Sequence, residues 1–318
     1  MKSKVLVTGS SGFIGKNLIN FLNEKKEFSL VTVSRDNPKL DDNTDNHIQL
    51  SSIGSLTDWS KPLKGVDLVI HLAGIAHRSA TPEEYEEVNL NGTIRLAKQA
   101  INAQVKRLIY ISSIKVNGEK THSGEVFKAD DLPDPQDPYA KSKLKVESEL
   151  RRLSIESDLE VVIIRPVLVY GPGVKSNLLS LMKWIKKRLP LPLGGVDNKR
   201  SFVSITNLNS FIYICLTHPK AGNETFLVSD QTPISISKLI EKLSLSLNTK
   251  KIPLFVPFPK SILSALLLMV GKGDVATKLL KSLEVDIEKN SKLLGWHPVQ
   301  STEEGLKQMA EDFLNNEQ

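Results

Sequence analysis

The sequence predicts an α/β protein built on a doubly wound parallel sheet, and two observations predict it. Runs rich in β-branched residues, such as "KVLVTG" at 4–9 and "VDLVIHLAG" at 66–74, are hydrophobic without alternation. That is the pattern of strands covered on both faces. Between such runs lie stretches with helical periodicity, so strand and helix take turns along the first half of the chain.

Taken in order, the strand at 4–9 leads into a helix, "FIGKNLINFLNEK", from Phe13, and "SLVTVS" at 29–34 follows it. The run at 66–74 and "KRLIYISS" at 106–113 flank the helical "GTIRLAKQAINAQ" from Gly92, and "VVIIRPVLVYG" spans 161–171. Beyond it prolines cluster in "RLPLPLGG" and "KKIPLFVPFPK". The expectation is a dinucleotide-binding domain over 1–170 and a smaller C-terminal α/β domain over 171–318, with the boundary near Gly171. The strand-like "RSFVSI" at 200–205, within a segment near 200–230, is expected to return to the first domain.

Composition sets bounds. A chain of 318 residues suggests about two domains, and 40% hydrophobic with 25% charged residues is ordinary for a globular protein. The net charge of +6 is modest, and its one cluster, Lys183, Lys186, Lys187 and Arg188, reads as a solvated helix face rather than a nucleic-acid stripe. Cys215 is the sole cysteine, so no internal disulfide forms, and its apolar neighbours "FIYICL" point to a core thiol. The apolar run Ile262–Val270 falls well short of the roughly 20 residues that span a bilayer and is expected to be a core helix. With a strand beginning at Lys4 and no leader ahead of it, the expected location is cytoplasmic.

The chemistry begins at "TGSSGFIG", where Gly9, Gly12 and Gly15 stand three apart between a strand and a helix. Glycine permits the tight turn and lets the backbone approach a pyrophosphate, while the helix N-terminus offers unpaired N–H groups to the anion. The arrangement predicts a Rossmann-type dinucleotide site. The second strand ends in Ser34 and Arg35, followed by Asp36. A small residue plus an arginine suits a 2′-phosphate, so NADP is favoured over NAD, with a solvated Arg35 as the alternative.

Tyr139 and Lys143 lie four apart on a helix and share a face. A nearby ammonium is expected to lower the phenol pKa, readying it to exchange a proton at a carbonyl or hydroxyl carbon. Ser113, at the end of the preceding strand, would polarise the same substrate oxygen. His71, His77 and His122 lack metal-ligand spacing, so no metal site is expected. Asp130, Asp131, Asp134 and Asp137 read as a lid edge or solvated loop, and Lys115 and Arg78 equally as residues within reach of a substrate phosphate or sugar hydroxyl or as plain surface charge.

On these motifs the sequence resembles the extended short-chain dehydrogenases/reductases, in particular the nucleotide-sugar epimerase/dehydratase group. "TGSSGFIG", "HLAG" at 71–74, "VNLNGT" at 88–93 and "ISSIKVNG" carry the resemblance through the first domain, with Asn117 where the family has a tyrosine. "RPVLVYGPG" is similar to the family's R-P-x-N-V-Y-G-P, with Leu168 in place of the asparagine. The resemblance implies cofactor contacts from Gly9, Ser11, Gly12, Phe13, Ile14 and Gly15, from Ser34 and Arg35, and from Leu72, Ala73 and Gly74. It extends them to Asn89, Tyr139, Lys143 and Pro166. It makes Ser113, Tyr139 and Lys143 the catalytic set. On the substrate side it implies Ser113, Lys115, Asn177, Leu178 and Arg200, the last gripping a nucleotide diphosphate.

The implied activity is oxidoreduction at C4 of a UDP-sugar. A 4-keto-sugar reductase using NADPH is favoured, and a 4-epimerase with tightly held NAD is the alternative. A non-catalytic dinucleotide sensor or structural subunit is the minor reading. Ile114 and Lys115 stand where the family's dehydratases have an acidic pair, which speaks against dehydration. The resemblance further implies a homodimer through the helices bearing Asn89 and Tyr139 and a nucleotide-sugar partner, while the scattered charge and short apolar runs predict no nucleic acid and no membrane span.

Overall fold

The computed structural model describes residues 2–35, 46–76, 80–188, 190–194, 196–247, 255–257, 262–263, 268–269, 277 and 279–316. A seven-stranded sheet forms the centre. Its strands are β1 (Lys4–Thr8), β2 (Ser29–Ser34), β3 (His47–Gln49), β4 (Leu68–His71), β5 (Arg107–Ile111), β6 (Glu160–Pro166) and β10 (Thr225–Val228), in the spatial order β10-β6-β5-β4-β1-β2-β3. Every pairing is parallel. The order reverses direction between β1 and β4, and ligands of open α/β sheets bind at the carboxyl ends of strands at such a point.

Unbroken hydrophobicity has its reason in the packing. Val5 and Val7 of β1 face one layer with Leu18 and Leu22 of α1 (Phe13–Lys25) and Phe211 of α6 (Ile205–Thr217). Leu6 between them faces the other layer with Leu96 of α3 (Gly92–Asn102) and Val146 and Leu150 of α4 (Pro138–Ile155). Alternate residues of one strand thus enter two different cores, and both must be apolar. The chain reaches α3 through α2 (Pro82–Glu84) and a π-helical turn, Tyr85–Asn91.

The run expected at 161–171 divides. β6 stops at Pro166, and β7 (Leu168–Tyr170) leaves the main sheet to pair with β9 (Phe202–Ser204). The piece expected to return at 200–205 is therefore β9, in a separate two-stranded sheet, and the strand that joins β6 is the later β10. Its four residues give almost no periodic signal. α6 packs with α1 over the sheet face.

A second core lies in the later part of the chain. α5 (Ser176–Lys186), α7 (Ile236–Ser246) and the C-terminal α9 (Thr302–Asn316) gather Leu178, Met182, Leu243, Met309 and Phe313 around Tyr170. β8 (Leu191–Gly194) and β11 (Phe255–Pro257) pair beside them, and α8 (Glu288–Leu294) returns towards the first core. Lys183, Lys186, Lys187 and Arg188 are exposed on and after α5, while Cys215 is fully buried. The helix expected over Ile262–Val270 lies largely outside the described residues. Among those described, no helix is long and apolar enough to cross a membrane.

Candidate active site

The glycine turn sits at the carboxyl end of β1. Gly9 adopts φ +71°, and a Cβ there would come within 2.8 Å of the Ala73 nitrogen in the loop after β4. A Cβ on Gly15 would press into the Gly9 carbonyl oxygen, so the first turn of α1 packs directly on the loop. Gly12 caps α1 in an extended conformation without a side-chain hydrogen bond. The N–H groups of the first turn, beside Phe13 and Ile14, are left for an anion.

Ser10 adds an observation of its own. Its hydroxyl is buried and without a hydrogen-bond partner, a costly state that a polar ligand group would relieve. Cradle, open helix terminus and unpartnered hydroxyl together fit a dinucleotide.

Around this turn the flanking strand ends converge. Ser34 is buried at the end of β2, with His47 Nε2 at 3.4 Å from its hydroxyl. Arg35 is exposed, and its carbonyl accepts a bond from Gln49. Asp36 lies outside the described residues, as do His77 and Arg78. After β4, Leu72 and Ala73 are half-buried, and the Ala73 N–H donates to Thr8 Oγ1. Asn89, 1% exposed on the π-helical turn, clamps this loop by accepting from the Ile75 N–H and donating to the Ile75 carbonyl. A Cβ on Gly74 would lie 2.9 Å from Asn89 Oδ1 and 3.9 Å from Lys143 Nζ, so loop, asparagine and lysine are in close company.

His71 is buried between two threonines, bonded through Nδ1 to Thr8 and through Nε2 to Thr93. Burial and the Lys143 charge hold its pKa down at about 3, which keeps the imidazole neutral. Among the described residues no group of histidine, cysteine or carboxylate side chains could hold a metal ion.

Ser113 is the extended residue that caps the short 3-10 turn Ile114–Val116, its hydroxyl accepting from the Lys115 N–H at 3.3 Å. Tyr139, in the first turn of α4, has the Ser113 hydroxyl near its phenol and packs 6.1 Å from the Tyr85 ring. Lys143 follows one turn later. Its ammonium donates to the Ile111 carbonyl at 2.9 Å and lies 4.6 Å from the Tyr110 ring, against 5.9 Å from that of Tyr139.

The electrostatics differ from the sequence expectation. Burial pushes the Tyr139 phenol up to about 12, and the Ser113 hydrogen bond and Lys115 charge offset this only in part. Lys143 itself is pulled down to about 8 by burial, with Glu147 opposing. The lysine expected to acidify Tyr139 points its ammonium at a carbonyl and at another ring, so desolvation prevails.

On the substrate side the expected residues are dispersed. Lys115 is held by Asp137 and by Glu119 at 3.0 Å. Asn177 is exposed at the start of α5, whereas Leu178 is 6% exposed in the second core and offers no side chain to a cleft. Arg200 donates to the Lys281 carbonyl, and burial lowers its pKa to about 10, with Glu119 offsetting. Leu168 is half-exposed where β7 begins. Pro166 closes β6 beneath it. The acidic loop divides its labour: Asp130 pairs with Lys289, Asp131 accepts from the Lys128 N–H, and Asp137 caps α4 at the Ala140 N–H.

One buried network escaped the sequence reading. Glu147 accepts from Ser112 at 2.5 Å and from Arg165 through both carboxylate oxygens, and Arg165 reaches Asn117. Asn117 in turn donates to the Lys128 carbonyl. The signal was present, since Glu147 stands four residues beyond Lys143 on the same helix face.

A parallel sheet with this glycine turn, and a serine, tyrosine and lysine at its carboxyl edge, defines an NAD(P)-dependent enzyme of the extended short-chain dehydrogenase/reductase type. Residues 5–229 match the model of the NAD dependent epimerase/dehydratase family, and the chain belongs to that family. It is 43% identical over 320 residues to a UDP-glucose 4-epimerase of Vibrio cholerae, covering 99% of this chain and 96% of that one. A GDP-6-deoxy-D-mannose reductase of Pseudomonas aeruginosa is 30% identical over 77% of this chain and 80% of its own. Among solved structures, the UDP-glucuronic acid 4-epimerase from Bacillus cereus in complex with NAD shares the fold with a TM-score of 0.80 at 24% identity, covering 99% of this chain and all of that one. The Thermotoga maritima UDP-glucose 4-epimerase with UDP-glucose shares it at 0.79 and 22% identity, over 99% and 100% of the two chains.

Proposed function

We propose that the protein is an NADPH-dependent reductase acting at C4 of a UDP-linked 4-keto-6-deoxy sugar, N-acetylated or not. The observation that carries the reading is the end of β2. A buried Ser34 beside an exposed Arg35 leaves room for a 2′-phosphate and sets a cation next to it. A phosphorylated cofactor that leaves after each turnover fits a one-way reduction better than a hydride returned within the same site.

The acid–base geometry supports the same direction. A dinucleotide held at the glycine turn would supply the hydride to C4. Ser113 and Tyr139 are near one another, and the C4 carbonyl oxygen would sit between their hydroxyls. Ser113 donates to that oxygen, and Tyr139 delivers the proton that completes the alcohol. A phenol at about 12 is fully protonated at neutral pH, as a proton donor must be. Arg200 is the candidate for the diphosphate of the sugar nucleotide.

A second reading, 4-epimerisation with tightly held NAD, is favoured by the 43% identity to the Vibrio cholerae UDP-glucose 4-epimerase. Denaturing the purified protein and identifying the nucleotide released separates the two. A chain that emerges empty and binds NADPH in preference to NADH supports the reductase. Stoichiometric NAD(H) retained through purification overturns it in favour of the epimerase.

A further inference from the structure

We infer that His71 is a positioning residue: as the Nε2–H tautomer it is the middle link of a buried chain of hydrogen bonds that ties the loop after β4, against the glycine turn, to the helix that presents Tyr139. The inference rests on the reading of the glycine turn as the dinucleotide site and of Tyr139 as the group that exchanges the proton, and not on the choice between reductase and epimerase.

The tautomer follows from counting protons. The Thr93 hydroxyl has one proton and gives it to the Asn89 carbonyl at 2.5 Å. Towards His71 Nε2, 2.9 Å away, it can only accept, so Nε2 carries the hydrogen. Burial and the Lys143 charge keep the imidazole neutral, which leaves Nδ1 bare. Thr8 Oγ1 therefore donates to Nδ1 at 2.7 Å and accepts from the Ala73 N–H at 3.3 Å. Every donor from Ala73 to Asn89 points the same way. The other tautomer would set two lone pairs against each other at Thr93.

From Asn89 the chain continues through the side chain. Its amide nitrogen donates to Ser142 Oγ at 3.2 Å, and Ser142 donates to the Tyr139 carbonyl at 2.7 Å. At the opposite end, the Ala73 backbone is the group that a Cβ on Gly9 would meet at 2.8 Å. Thr8, His71 and Thr93 are all buried, and Tyr110, stacked 6.1 Å from the imidazole at 20°, fixes the ring plane between the threonines. Oriented hydrogen bonds in such a dry interior polarise and strengthen one another, so the chain holds the cofactor loop and the first turn of α4 as one unit.

The first test is made on the nucleotide-free parent chain. With histidine labelled with nitrogen-15, a long-range proton–nitrogen correlation spectrum distinguishes a bare from a protonated ring nitrogen. The His71 pattern is assigned by its loss in His71→Gln or by contact with the Tyr110 ring protons. The Nε2–H tautomer is expected, and any other state of the ring, Nδ1–H, mixed or charged, overturns the inference.

The second test breaks the chain beyond the imidazole. Thr93→Val keeps the shape and removes the acceptor of the Nε2 hydrogen, whereas Thr93→Ser keeps the hydroxyl. In Thr93→Val the ring is expected to leave the Nε2–H pattern, and NADH and NADPH to bind about fivefold more weakly in fluorescence titrations. Amide exchange is expected to quicken in the loop after β4 and the first turn of α4 while β10 stays protected. Thr93→Ser is expected to restore all three. Unchanged affinity would make the chain dispensable to the site, and exchange quickened as much in β10 would reduce it to general stability; either overturns the inference. The ring spectrum needs neither cofactor nor substrate, so it stands or falls apart from the proposed function.

Discussion

At the scale of single residues, the site is governed by a contest between burial and charge, and Lys143 shows it most directly. It is buried against the loop after β4, and burial pulls its pKa down to about 8 in the folded chain against 10.5 for a free lysine. Between those values the unfolded chain holds a proton that the folded chain has released, so stability rises with pH across that window and is penalised below it. Lys143→Met is expected to abolish this rise, read as denaturant midpoints compared below pH 8 and near pH 10. A slope that persists would assign it to another group. The sequence made the tyrosine, the lysine and the upstream serine legible through their spacing, but not the direction of the lysine's ammonium, which depends on the Ile111 carbonyl at the end of β5. Lys115 was legible as a substrate contact or surface charge and Asp137 as part of an acidic loop, but not as partners, since they stand 22 positions apart and meet through the fold.

At the scale of elements, the boundary between strand and helix is where function is positioned, and the glycine turn is its tightest case. Gly9→Ala meets two obstacles at once: a positive φ, and the Ala73 backbone 2.8 Å from the new methyl. The conformation alone costs about 1–2 kcal/mol, and the contact forces the loop after β4 away from β1. The expected outcome is a lower unfolding midpoint together with loss of NADPH and NADH binding, measured by fluorescence titration. Retained nucleotide affinity would show that the close approach of these two loops is dispensable. Such turns are legible because only one residue type tolerates them. The long buried strands were legible for a related reason, since Leu6 and its neighbours Val5 and Val7 must all be apolar to enter two cores. β10 was not, because four residues carry no period, and the break after β6 was hidden inside one continuous apolar run.

At the scale of the whole molecule, the main sheet and the second core are joined by a polar knot around Asp230, just past the end of β10. One carboxylate oxygen accepts from the Tyr170 hydroxyl of β7 at 2.6 Å, and the other from the Ser204 N–H and the Asn207 amide at the start of α6. Asn207 extends the knot to the segment before α9, accepting from Val299 and Gln300. Burial raises the Asp230 pKa, so its ionised form is costly by itself and is retained for the donors it satisfies. Asp230→Ala leaves the Ser204 N–H and one Asn207 proton without their acceptor, while the Tyr170 hydroxyl keeps the Thr302 carbonyl at 3.3 Å. An unsatisfied buried group costs roughly 1–3 kcal/mol, so the loss is expected to total at least about 2 kcal/mol. Because the knot binds elements of both cores, the variant is expected to lose cooperativity as well as stability. Trp59, in the core beneath α3, and Trp184, on α5 of the second core, report different regions. Single-tryptophan forms should unfold together in the parent and at separate denaturant concentrations in Asp230→Ala. Coincident transitions in both would mean that apolar contact alone couples the two cores, and that Asp230 serves only its immediate neighbours.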